Sequence, residues 1–197
     1  MKLLILGSSH AKYLKKYDRR RVRNILGEQV FFNYQEFSGK GFEYFIDNPG
    51  EIDDVIAYKP DMVLVILGGN SISTERTKRT LLNNCRTFYQ LLRDRLDILS
   101  PNTKIIASQV FLRWVYNNNY NTPKPEPYKT ARNYLNNYIN KLRTKDYTLL
   151  VAGKTKLDKR KHFKDGIHLK HSGLKVQFQI LNSLLEHIIR TTIVEEY

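Results

Sequence analysis

A single cysteine, Cys85, stands among 197 residues, so no intrachain disulfide framework can staple this chain, and a reducing compartment suits it. No apolar run approaches the roughly 20 residues of a membrane span. Leu3-Leu4-Ile5-Leu6-Gly7, directly after Met1 and Lys2, is far shorter and lacks the small-residue cleavage site of a secretory leader. It reads as a first strand, and an intracellular setting, cytoplasmic or nuclear, is expected. Acids are scarce. Nineteen Asp and Glu against 33 Lys and Arg leave a net charge of +14, which attracts polyanions such as nucleic acid, acidic membranes or phosphorylated substrates. No cluster of His, Cys, Asp and Glu has metal-ligand spacing, so neither metal nor cofactor is expected. No Gly-x-Gly-x-x-Gly or Walker sequence follows the first strand, which weighs against a nucleotide-binding domain of flavodoxin type. RNP, KH and zinc patterns are missing too, as is any internal repeat.

What is present fits one domain over residues 1–197, with 41% apolar and 12% aromatic residues. Short apolar runs alternate with stretches of helical period, the pattern of a parallel sheet covered on both faces. Strands are expected at Lys2 to Leu6, Val30 to Phe37, Met62 to Leu67, Lys104 to Val110 and Tyr147 to Val151. Helix faces are marked by Leu81, Cys85, Phe88, Leu92 and Leu96, by Ala131, Leu135, Tyr138 and Leu142, and by Leu174, Phe178, Leu181, Leu185 and Ile188. The expected fold is therefore a three-layer α/β/α sandwich on a five-stranded, mainly parallel, flavodoxin-like sheet. Cys85 lies within a core stripe and receives no reactive role. Residues 117–127, with three prolines, read as an exposed loop insertion, and residues 153–165 as a basic loop.

Open parallel sheets place their sites beyond the carboxyl ends of strands. Gly7-Ser8-Ser9-His10, Ser38-Gly39-Lys40-Gly41 and Gly68-Gly69-Asn70-Ser71 fall at such ends, and Asp165-Gly166-Ile167-His168 falls in the turn entering the last helix. Ser8 and Ser9 suit either a helix cap or a nucleophile facing unpaired helix amides. Asp165 and His168, three apart in a glycine turn, can share one site, the carboxylate fixing the imidazole tautomer. Asn70 adds a neutral amide donor for an oxyanion.

These four blocks, carrying Ser, Gly, Asn and His in that order over most of the chain, resemble the SGNH (GDSL-type) hydrolase superfamily. The resemblance implies an esterase with Ser9 as nucleophile, His168 as base and Asp165 as its orienter. It assigns the oxyanion hole to the amides of Ser9 and Gly39, with Gly41 as a fallback, and to the Asn70 side chain. The best match is Asp165-Gly166-Ile167-His168-Leu169 followed by Gly173. Ser8 and Ser71 stand where the family commonly has Asp, and losing both carboxylates is expected to make the site more electropositive. His10, beside Ser9, is expected at the surface or in packing, aimed away from the site.

Two basic segments complete the reading. Lys12, Lys15, Lys16, Arg19, Arg20, Arg21 and Arg23 follow Ser9 with one acid, Asp18, and are expected along the first helix. Lys154, Lys156, Lys159, Arg160, Lys161 and Lys164 precede Asp165. Lys15, Lys16, Arg19, Arg20, Lys156, Lys159, Arg160 and Lys161 are the candidate polyanion contacts. Two functions follow: hydrolysis of carboxylic esters or acetyl groups, or binding of nucleic acid or anionic lipid on an SGNH fold with a vestigial triad. Small, basic esterase domains of this family in LINE-type retrotransposons are similar, which adds a retroelement or viral context to the second.

Overall fold

In the computed structural model, which describes residues 1–18, 20–74, 77–111, 125–142, 147–150, 157, 159–163 and 167–195, the alternating pattern becomes a six-stranded sheet between two helical layers. The strands are β1 (Lys2–Gly7), β2 (Val22–Ile25), β3 (Glu28–Glu36), β4 (Met62–Ile66), β5 (Lys104–Ser108) and β6 (Tyr147–Leu150). Their spatial order is β2-β3-β1-β4-β5-β6. All neighbours are parallel except β2 and β3. Every residue of β4 is buried, as a strand covered on both faces requires.

The helices are α1 (Ser9–Tyr17), α2 (Phe42–Asp47), α3 (Gly50–Ile56), α4 (Gly69–Thr74), α5 (Lys78–Leu99), α6 (Pro125–Lys141), α7 (Lys159–His162) and α8 (His171–Glu195). Because strand side chains alternate, β1 sends Leu3 and Ile5 to one core and Leu4 and Leu6 to the other. The first core joins α1 and α8, through Ala11, Leu14, Phe178, Leu181 and Leu185. The second joins α2, α3, α5 and α6, through Phe45, Ile52, Phe88, Leu92 and Leu135. Cys85 lies wholly inside the second core, as expected.

Three expectations need correction. The sheet has six strands rather than five, because the basic stretch after Ser9 does not stay helical. α1 ends at Tyr17, and Asp18 caps it. The Asp18 carboxylate is buried, accepting from the Tyr34 hydroxyl at 2.7 Å and from the Arg23 guanidinium at 2.7 Å. Arg23 also lies over the Phe178 ring, 4.6 Å from its centre. That bond pattern turns the chain into β2, and Leu26 and Gly27, both at positive φ, close the hairpin onto β3. Second, the loop expected at 117–127 overruns into α6: Pro125 and Pro127 occupy its first turn, where a missing N–H costs nothing. Third, within the basic loop expected at 153–165, Lys159–His162 is a short helix. The remainder of both loops, apart from Leu157 and Phe163, lies outside the described residues.

Asp18→Ala should destabilise the fold by about 3 kcal/mol, since it strands a partly buried guanidinium and a buried phenol. Asp18→Asn, which keeps an acceptor, should cost less; equal urea midpoints for both variants would contradict this. Alkaline pH should also weaken the fold. Burial pushes the ionisation of Tyr34, Tyr89 and the Cys85 thiol up, and for Tyr34 the hydrogen bond to Asp18 adds to this. The unfolded chain releases these protons near its ordinary values of 9.0 and 10.0. The stability they confer is thus complete below about pH 9 and falls as pH rises further. A urea midpoint that stays constant to about pH 11 would refute it.

Candidate active site

The sheet reverses its winding at β1, with β3 on one side and β4 on the other, and a crevice opens at such a switch. The three strands end level: Gly7 is in register with Glu36 and with Ile66. The Phe37 N–H donates to the Gly7 carbonyl at 2.8 Å, and the Ser8 N–H donates to the Ile66 carbonyl at 3.3 Å. The segments after these strands, Ser8-Ser9, Ser38 to Gly41 and Gly68 to Ser71, are therefore brought side by side. Gly7 permits this approach, since a Cβ there would come 2.8 Å from the Ile66 carbonyl oxygen and 3.0 Å from Ala11 Cβ.

Ser8 is the N-cap of α1, its carbonyl accepting from Ala11 and Lys12 while its side chain makes no capping bond. Ser9 opens the helix and is half-buried. One turn further, on the same face, Tyr13 packs on the His168 ring with centroids 4.9 Å apart. His168 thus stands over the α1 face that begins with Ser9. The turn bearing His168 is held from behind: Phe163 and Leu169 form an antiparallel bridge, and the Lys170 N–H donates to the His162 carbonyl at 2.7 Å. Gly173 makes room for that contact, since a Cβ would lie 2.6 Å from the His162 oxygen. Asp165 lies outside the described residues, as do Arg19, Lys154, Lys156 and Lys164.

His10 is not aimed away. Its ring lies 5.3 Å from Phe111 and 6.2 Å from His168, and it lines a small cleft with Ser8, Leu67, Gln109, Tyr128 and Ile167. The cleft offers about 20 Å³, room for roughly one water molecule.

On the opposite side, Gly39 sits in a turn at φ +80° and Asn70 in the first turn of α4. The Asn70 amide donates to the Lys40 carbonyl at 3.0 Å, which ties the two oxyanion candidates together. Beneath them, Ser71 is wholly buried. Its hydroxyl accepts from the Phe42 N–H at 2.8 Å and donates to the Glu43 carboxylate at 2.9 Å. The expectation that Ser71 removes a negative charge from this corner is therefore wrong: Glu43, from a different element, returns a carboxylate to the same place. Sequence reasoning missed Glu43, because its only local signal is an acid in the first turn of a six-residue helix.

No protein-family sequence model matches the chain, and neither does any curated protein sequence. Solved structures do match. The lipase/acylhydrolase of Enterococcus faecalis superposes with a TM-score of 0.67 at 15% identity, over 95% of this chain and 96% of that one. The family 3 carbohydrate esterase of Clostridium thermocellum gives 0.64 at 17% identity, over 98% of each chain. This chain has the SGNH (GDSL-type) hydrolase fold. A GDSL-like lipase from Bacteroides thetaiotaomicron matches as well, with a TM-score of 0.62 at 14% identity over 97% and 88% of the chains. Within this SGNH fold the first three sequence blocks meet at the sheet switch, and the histidine of the fourth meets α1.

The Ser71 bridge has a direct test. A Cβ at position 41 would sit on the Ser71 hydroxyl and the Glu43 carboxylate, so Gly41→Ala should break the bridge and cost about 1–3 kcal/mol, much as Ser71→Ala leaves the Phe42 N–H unpaired. In the double variant the losses should fall short of additive, and fully additive urea-unfolding values would show that the two residues act separately.

Proposed function

We propose that the chain is a serine hydrolase of carboxylic esters. The observation that supports this reading is the packing of His168 against Tyr13, one helical turn from Ser9, with the Asn70 amide bonded to Lys40 beside the Gly39 turn at the ends of neighbouring strands. The esterase and lipase names of the structural neighbours support the same class of substrate.

In this scheme the Ser9 hydroxyl oxygen attacks the ester carbonyl carbon while His168 takes the hydroxyl proton. Asp165 orients the imidazole. The carbonyl oxygen gains negative charge, which the amides of Ser9 and Gly39 and one N–H of the Asn70 side chain stabilise. An amide nitrogen carries two N–H bonds, so Asn70 can grip the Lys40 carbonyl with one and serve the oxyanion with the other. The intermediate collapses and expels the alcohol, which leaves with the proton from His168. Water then repeats the sequence on the acyl-serine, releasing the carboxylic acid and restoring Ser9. No metal or cofactor takes part in this scheme.

A fluorophosphonate probe should label Ser9, as read by peptide mass spectrometry, and the chain should hydrolyse p-nitrophenyl acetate. Ser9→Ala should abolish both while Ser8→Ala keeps most of each. Labelling at Ser8 would shift the nucleophile by one residue, and a folded chain with neither labelling nor turnover would end the esterase reading.

A further inference from the structure

Charge is distributed unevenly between the two helical layers. In the layer of α2 to α6, eight Lys and Arg are matched by eight Asp and Glu. In the layer of α1, α7 and α8, eight Lys and Arg face two Glu, Glu186 and Glu195, both in the second half of α8. Among the described residues, Asp18 beside α1 is buried and paired with Arg23, and Glu36 of β3 pairs with Lys15 at 3.6 Å, so the surface excess rests on the other cations of this layer. The described residues of the two basic segments therefore meet on one face. α8 packs against α1, β2 and α7, and Lys16, Arg20, Arg21, Arg160, Lys161 and Lys175 are exposed across them.

Along the seam between α1 and α8 runs a row of rings. Tyr13 lies against His168, and Tyr17 lies against His171 with centroids 4.7 Å apart. These rings are half-buried, apart from the exposed His171. The face thus combines exposed cations with ring edges, and its inner end is the candidate active site.

We propose that the α1–α7–α8 face binds single-stranded nucleic acid, whose phosphates meet the cations and whose bases meet the seam rings. The alternative anionic partner, a membrane surface, demands exposed apolar side chains that enter the lipid. Among the described side chains, the exposed large hydrophobics are Val22, Leu26, Phe31, Ile98, Leu99 and Tyr134, none of them on α1, α7 or α8. The cations of this face lie outside the proposed catalytic set, whereas its row of rings includes His168, the proposed base, so the two readings share that one side chain.

The test is fluorescence anisotropy with labelled oligo(U) and oligo(dT) of about 20 nucleotides, a length that spans more than one typical single-strand site. Engagement of about five phosphates should weaken binding roughly 100-fold between 50 and 200 mM salt. Replacing Lys16, Arg20, Arg160 and Lys175 together by Ala should remove most of the affinity and flatten the salt dependence. The charge-matched control, Arg79, Arg86, Lys129 and Lys141 replaced by Ala on the opposite layer, should bind within about threefold of the parent once its lower net charge is allowed for. Thermal melting of both variants establishes that each is folded. No binding at 50 mM salt, equal losses in the two variants, or binding to phosphatidylserine vesicles with none to the oligonucleotides would each overturn the proposal. Hydrolysis of p-nitrophenyl acetate, measured on the same samples, reports separately on the esterase reading.

Discussion

The Ser71 hydroxyl is the hinge on which the candidate site depends. It is wholly buried, and it uses both its capacities, accepting from the Phe42 amide and donating to Glu43. By doing so it joins the start of α2 to the start of α4, two segments 29 residues apart in the chain. The Asn70 bond to Lys40 lies directly above and runs between the same two segments. An oxyanion hole assembled from separate loops stabilises charge only if its donors are already in place when the charge develops. For the proposed oxyanion donors, a buried hydroxyl bonded on both sides would supply that rigidity, because where water is excluded releasing either partner leaves a polar group unpaired.

The sheet supplies the coarser positioning. Adjacent β3, β1 and β4 end in register, so three sequence blocks reach one crevice with no long excursion. The fourth arrives from behind through α7 and α8, whose junction is closed by the Ser172 hydroxyl donating to the Lys161 carbonyl at 2.6 Å and the Lys170 ammonium donating to the Arg160 carbonyl at 2.8 Å. The last carbonyls of a four-residue helix would otherwise lack partners. The bonds that satisfy them also hold the turn in which His168 sits.

The five parallel strands and the core stripes of α5 and α8 were legible because burial on both faces leaves continuous apolar runs, and helix burial leaves a repeat of three and four. β2 left no such trace. Val22-Arg23-Asn24-Ile25 is short, charged and at an edge, and it is a strand only because β3 lies beside it and Asp18 ends the helix before it. The start of α6 was hidden by its own prolines, which look like a loop until the first turn of a helix is considered. Ser9, Gly39 and Asn70 could be named as candidates from residue type at strand ends, and His168 from the turn before the last helix. Glu43 could not, since what makes it part of the site is a contact with Ser71, 28 positions away. His10 packs, one of its two expected places, but its direction was misjudged: adjacency to Ser9 suggested a turn away, whereas its ring lies near both Phe111 and His168.

Cys85 lies at the centre of the second core, and burial drives its thiol away from the reactive thiolate. Since it is the chain's only cysteine, the folded surface is blank to maleimides and methanethiosulfonates. A cysteine introduced at a chosen point of the crevice or of the cationic face would accept a spin label or fluorophore at that point alone, with the native core left unmutated.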